Sequence, residues 1–152
     1  MLFRSPDFRE QALKFNIDRL NGVLITHTHF DHSAGMDDLR VYCFADKKPL
    51  PCLLSIDSYE ELKRTHAYFF KKGEDDVTGG MRFEFHVIQD DFGVEEFGGH
   101  SWKILSYEQN GMKVTGYRLG TFAYVMDLKN FPPEVYQALK GEIGRASCRE
   151  RV

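Results

Sequence analysis

No apolar run in this chain approaches the roughly 20 residues that span a bilayer, and its start lacks the pattern of a secretory signal. A membrane-embedded or exported protein is not expected, and the cytoplasm is the default compartment. Cysteine is scarce: Cys43, Cys52 and Cys148 are widely spaced among 152 residues, with no C-x-x-C pair. This excludes a disulfide framework and a thiolate zinc site, leaving reduced structural thiols. Basic charge is not in excess, since a formal net charge of −3 gives no field to gather nucleic acid. Repeats, low-complexity blocks and Pro/Ser-rich linkers are absent as well. With 42% hydrophobic residues the chain is read as one domain with a real core, and nothing in it bears on oligomeric state.

Elements of both kinds alternate along the chain. Asp7 can cap a first helix in which Phe8, Ala12 and Phe15 recur at helical spacing, up to the turn at Asn21-Gly22. Residues 23–26 read as a buried strand, 34–39 as a helix, and 52–56 as a second strand. Ser58 with Glu61 matches a capping box, which predicts a helix over 59–69. Residues 71–80 form a polar Gly-rich loop. Met81, Phe83, Phe85 and Val87 alternate with polar residues, a half-buried strand with His86 on its wetter face. Strands at 102–107, 112–119 and 122–126 and a short helix after Pro132-Pro133 complete an α/β layered pattern.

The two ends read differently from the middle. IGRASCRERV, residues 143–152, is a permitted translation of a widely used sequencing-library adapter, and MLFRS, residues 1–5, is what the opposite adapter end gives after a start codon. Residues 6–141 are therefore expected to be the native part, a partial domain, with 1–5 and 142–152 set aside. Cys148 falls in the part set aside.

What the chain does have is a crowd of imidazoles. ITHTHFDHSAGMDDLR, residues 25–40, holds three of its six histidines within the six residues 27–32. In an extended segment His27 and His29, two apart, share one side. Asp31 and His32 follow where the chain must turn from strand to helix, which aims them at a second point nearby. Clustering four such side chains at the end of an apolar strand serves packing poorly. It suits zinc or a similar divalent ion.

At this point the sequence resembles the metallo-β-lactamase superfamily, whose H-x-H-x-D-H signature is met by His27, His29, Asp31 and His32. SPDFRE near the start, HSAGMDDLR after the ligands and GYRLGTFAYVMD at 116–127 look like the branch of cyclic-phosphate phosphodiesterases of phosphonate breakdown. The resemblance implies an αββα sandwich, incomplete in this chain. It implies two zinc ions, with manganese or iron as substitutes: His27 and His29 holding one, Asp31 and His32 the other, and Asp127 bridging both. It further implies a hydrolase in which a metal-activated water attacks a small phosphodiester, Asp31 positioning that water and accepting its proton.

Two departures stand out. Gln109 occupies the position where the branch places a further metal-binding histidine, and glutamine is a poor zinc ligand; the family's last histidine has no counterpart. The chain on its own is expected to be inactive. His66 and His86 read as ordinary side chains, and His100 stays open. Lys47-Lys48 and Lys71-Lys72 read as solvated loop charges, so a nucleic-acid substrate is not expected. Three competing readings follow: a tRNA 3′-processing type of nuclease, a non-catalytic metal-binding module, and a di-iron oxidoreductase. The di-iron branch has glutamate where this chain has His29, which favours hydrolysis.

Overall fold

The computed structural model describes residues 5–70, 83–129, 131–140 and 145–146. Its first sheet is parallel, in the order β1 (Val23–Leu24), β2 (Leu50–Ser55), β3 (Phe83–Ile88). Its second sheet runs β4 (Phe92–Phe97), β5 (His100–Gln109), β6 (Met112–Leu119), β7 (Phe122–Tyr124), β8 (Arg145–Ala146), antiparallel except that β8 lies parallel to β7. The helices α1 (Phe8–Lys14), α2 (Phe30–Ser33), α3 (Arg40–Asp46) and α4 (Ile56–Thr65) belong to the first half, and α5 (Pro133–Leu139) follows the second sheet. Short 3-10 turns at Ala34–Leu39 and Ala67–Phe70 join them.

The layering follows from which side each strand residue faces. β2 is the central strand of a parallel sheet covered on both faces, and it is apolar almost throughout. Its Cys52 and Leu54 join Ile25, Met36, Leu39, Tyr42, Cys43 and Leu62 in a core under the helices. Leu53, pointing the other way, meets Ile88, Phe97, Ile104 and Tyr117 between the two sheets. The far face of the second sheet packs Leu105, Tyr107, Val114 and Val125 against Val135, Ala138 and Leu139 of α5. Helices, sheet, sheet and helix make the expected αββα sandwich. Gly22 lets this closure happen, because a Cβ there would lie 2.8 Å from the Phe97 ring.

Several boundaries differ from the sequence expectation, each for a local reason. The α4 helix begins at Ile56 with Ser55 as its cap, whose Oγ accepts from the Ser58 N–H at 3.3 Å. Ser58 and Glu61 therefore do not form the capping box; Glu61 pairs with Arg64 instead. The helix stops at Thr65 and continues only as a 3-10 turn. Asp7 makes no side-chain cap bond, α1 ends at Lys14, and Phe15 is exposed. The helix expected at 34–39 is a 3-10 turn, with α2 and α3 on either side. β4 was not anticipated, because its apolar Phe92 and Val94 are both exposed and the alternation is lost in FGVEEF. Lys71, Lys72, the 71–80 loop and Met81 lie outside the described residues.

Candidate metal centre

The end of β1 is clamped from two sides before the histidines begin. The Ile25 N–H donates to Leu53 O at 2.9 Å, prolonging the parallel ladder by one bond. The Thr26 carbonyl accepts from the Thr115 N–H of β6 at 2.8 Å. That N–H is free of the ladder because β7 pairs only with Tyr117, Arg118 and Leu119. Tyr117, fully buried, donates its hydroxyl to Ile25 O at 2.7 Å and contacts Leu53 O at 3.2 Å. His27 is thus fixed to both sheets through its neighbours.

Beyond it the chain turns within one helical turn. The N–H groups of His32 and Ser33 donate to His29 O at 2.9 and 3.0 Å, and the Ser33 hydroxyl bonds the carbonyls of Thr28 and His29. The turn brings His32 back over His27, with ring centroids 4.2 Å apart. Asp127 arrives from the other sheet. Tyr107 pins the residue before it, exchanging hydrogen bonds with Met126 O and the Met126 N–H. Asp127 itself has φ 51°, a left-handed conformation that aspartate tolerates better than most residues. Its side chain is only 4% exposed.

The donor atoms form a connected row. His29 Nδ1 lies 3.0 Å from His27 Nε2, which lies 3.3 Å from Asp127 Oδ2. That same oxygen is 3.1 Å from His32 Nε2, which is 3.3 Å from Asp31 Oδ2. His27, His32 and Asp127 form a group whose ligand atoms all lie within 4.8 Å of one another. Ligands held about 2.1 Å from a tetrahedral ion stand roughly 3.4 Å apart, so these separations fit a divalent cation. His29 and Asp31 sit one contact further out on opposite sides, and Asp31 is 55% exposed.

Charge and protonation agree with that use. Burial, followed by the neighbouring His32 and His29, pushes His27 down to about 3, so its ring is neutral at ordinary pH. Thr26 Oγ1 lies 3.1 Å from His27 Nδ1, which engages that nitrogen and leaves Nε2 for the site. Thr26 and Tyr107 were not singled out from the sequence. Thr26 carried a weak signal, a polar residue continuing an apolar strand, whereas nothing local announces the Tyr107 contact.

The remaining candidates lie elsewhere or apart. His66 bonds Thr65 and stacks on Phe69, 5.2 Å between centroids. His86 is on the exposed side of β3 with Glu84 3.9 Å away, and His100 opens β5 beside Trp102. Gln109 is buried at the end of β5, and its Oε1 meets no hydrogen-bond partner among the described residues. A cavity of about 440 Å³ reaches His32 and Thr26, walled mainly by apolar residues that include Phe8, Met36, Leu39 and Trp102.

The fold, with His27, His32 and Asp127 gathered at the end of β1, defines a metallo-β-lactamase-like domain. The chain belongs to the metallo-β-lactamase superfamily: residues 5–144 match the family described as "Beta-lactamase superfamily domain". A solved diphosphatase of the PhnP family superposes with a TM-score of 0.73 at 25% identity, over 91% of this chain and 51% of that one. An octanoyltransferase of Porphyromonas gingivalis is 31% identical over 147 residues, 95% of this chain and 27% of that protein. The anti-Pycsar protein Apyc1 of a Bacillus phage is 52% identical over 31 residues, 20% of this chain and 12% of its own length. The chain thus spans about half or less of each of these proteins. No described helix is long and apolar enough to cross a membrane.

Proposed function

We propose that this domain hydrolyses a small phosphodiester with divalent metal ions, zinc or manganese, one on the His27 and His29 side and one on the Asp31 and His32 side, with Asp127 shared. The observation that carries the reading is the position of Asp127 Oδ2, 3.3 Å from His27 Nε2 and 3.1 Å from His32 Nε2. Bound there, such ions supply Lewis acidity toward a phosphoryl oxygen and lower the pKa of water. The protein's own groups do the rest. Neutral His27 presents Nε2 as a lone pair, held in that orientation by Thr26 at Nδ1. Asp127, buried, offers one oxygen to both sides without competition from solvent. Asp31, an exposed carboxylate 3.3 Å from His32 Nε2, takes the role of orienting an attacking water and accepting its proton in this reading.

The apolar cavity beside His32 suits a small organic substituent on the phosphate. Lys48 is engaged with Asp46 at 3.8 Å, which leaves it a poor element of a nucleic-acid surface. The solved relative's description as a diphosphatase supports chemistry at a phosphoryl centre. The test uses the whole protein loaded with zinc or manganese. It should hydrolyse bis(p-nitrophenyl) phosphate, and Asp31→Ala should lose at least about 100-fold in turnover with unchanged circular dichroism. Metal uptake without hydrolysis of any phosphodiester or diphosphate would make the domain a metal-binding module and overturn the proposal.

A further inference from the structure

Among the described residues two buried side-chain oxygens meet no hydrogen-bond partner, the hydroxyl of Thr115 and the amide oxygen of Gln109, and of these the amide oxygen is the stronger candidate ligand. Gln109 is 7% exposed, at the last position of β5. A buried carbonyl oxygen left so is costly, and folded proteins supply such an atom with a donor, an ordered water or a cation.

Two tethers place Gln109 at the metal-binding end of the sheet. It lies opposite Met112 in the β5–β6 ladder, and Met112 Sδ is 4.0 Å from the hydroxyl of Thr28, the residue between His27 and His29. By strand alternation Gln109 also shares a face with Tyr107, whose hydroxyl holds Met126 beside Asp127. One tether leads to the imidazole pair and the other to the shared carboxylate. An amide oxygen without a partner among the described residues, at this end of the sheet, has the character of a neutral, hard ligand.

We infer that the Gln109 amide oxygen is a ligand atom for the ion on the His27 and His29 side, giving that position a mixed nitrogen and carbonyl-oxygen set that narrows zinc's usual advantage over manganese. The inference rests on the metal-centre reading above. Carbonyl and carboxylate oxygens suit manganese, whereas an all-imidazole and carboxylate set suits zinc. The two positions then differ in selectivity although they share Asp127.

The experiment is a binding measurement that needs no turnover. Zn²⁺ and Mn²⁺ are each titrated against a chelating dye into the wild-type protein and into Gln109→Leu, Gln109→Glu and Gln109→His, with metal content after dialysis read by elemental analysis. Gln109→Leu should lose about tenfold or more in Mn²⁺ affinity at one of two sites. Gln109→Glu keeps an oxygen in place and should retain or tighten Mn²⁺, and Gln109→His should tighten Zn²⁺ about tenfold and widen zinc's advantage over manganese. If Gln109→Leu fails to fold, the Glu and His variants carry the comparison. Affinities within threefold of wild type across the variants that fold, with only thermal stability altered, would show a structural amide and overturn the inference alone. A wild-type protein that binds neither ion overturns the metal centre and the inference together.

Discussion

Replacing Tyr117 with phenylalanine isolates the contact that joins the two sheets beside the metal centre. The ring is buried among Leu53, Ile88, Phe97 and Ile104, so Tyr117→Phe keeps its packing and removes the hydroxyl alone. Burial holds the phenol well above its ordinary value, so it remains a neutral donor at any working pH. Its two acceptors are not equivalent. Leu53 O also receives the Ile25 N–H at 2.9 Å and keeps a partner, whereas Ile25 O loses its 2.7 Å bond. One buried carbonyl deprived of a strong donor costs about 1–3 kcal/mol. For a domain of this size that corresponds to a fall in Tm of about 2–10 °C. Urea unfolding followed by circular dichroism should show a lower midpoint at unchanged slope, the sign of lost stability without a changed unfolded state. Because Ile25 lies two residues before His27, the same variant should also weaken zinc binding. A stability loss below about 0.5 kcal/mol would refute the argument that this hydroxyl ties the sheets together.

Two further outcomes test other parts of the account. Ser55→Ala should cost about 1 kcal/mol by removing the α4 cap, while Glu61→Ala, which breaks only a surface pair with Arg64, should cost less than about 0.5 kcal/mol; the opposite order in urea midpoints would restore the Ser58 and Glu61 capping box. The metal-free protein should lose stability on acidification below about 6.5: His27 is lowered to about 3 in the fold but titrates near 6.5 when unfolded, so the unfolded chain takes up the extra proton in that window. The contribution is fully present above 6.5 and declines by at most about 1.4 kcal/mol per pH unit toward 3. Midpoints at pH 7.5, 6 and 5 should fall in the wild type and fall less in His27→Gln, and parallel profiles would contradict the assignment to His27.

Much of the centre was legible because it is local. His27, His29, Asp31 and His32 lie within six residues, and strand period followed by a single helical turn is enough to gather them. The half-buried face of β3, the limits of β6 and the helix after Pro132-Pro133 were legible for the same reason, since alternation and proline act over neighbouring residues. Asp127 is different. Its place beside His27 and His32 depends on β7 ending early and on Tyr107 holding Met126, contacts between segments far apart in the chain. By itself the sequence pointed to it only through resemblance.

Other features belonged to tertiary structure alone. A serine three residues further along looked like the better cap, but β2 runs on to Ser55 and α4 starts directly from it. β4 has little alternation of its own and forms because β5 offers it a ladder. Protonation follows the same division. The sequence by itself determined which groups bear lone pairs and carboxylates, because that is side-chain chemistry. Only packing decided that His27 loses its proton, that Asp31 faces water while Asp127 does not, and that the oxygen of Gln109 is left to find a partner at the end of β5, because burial and distance are set by contacts no short stretch of chain contains.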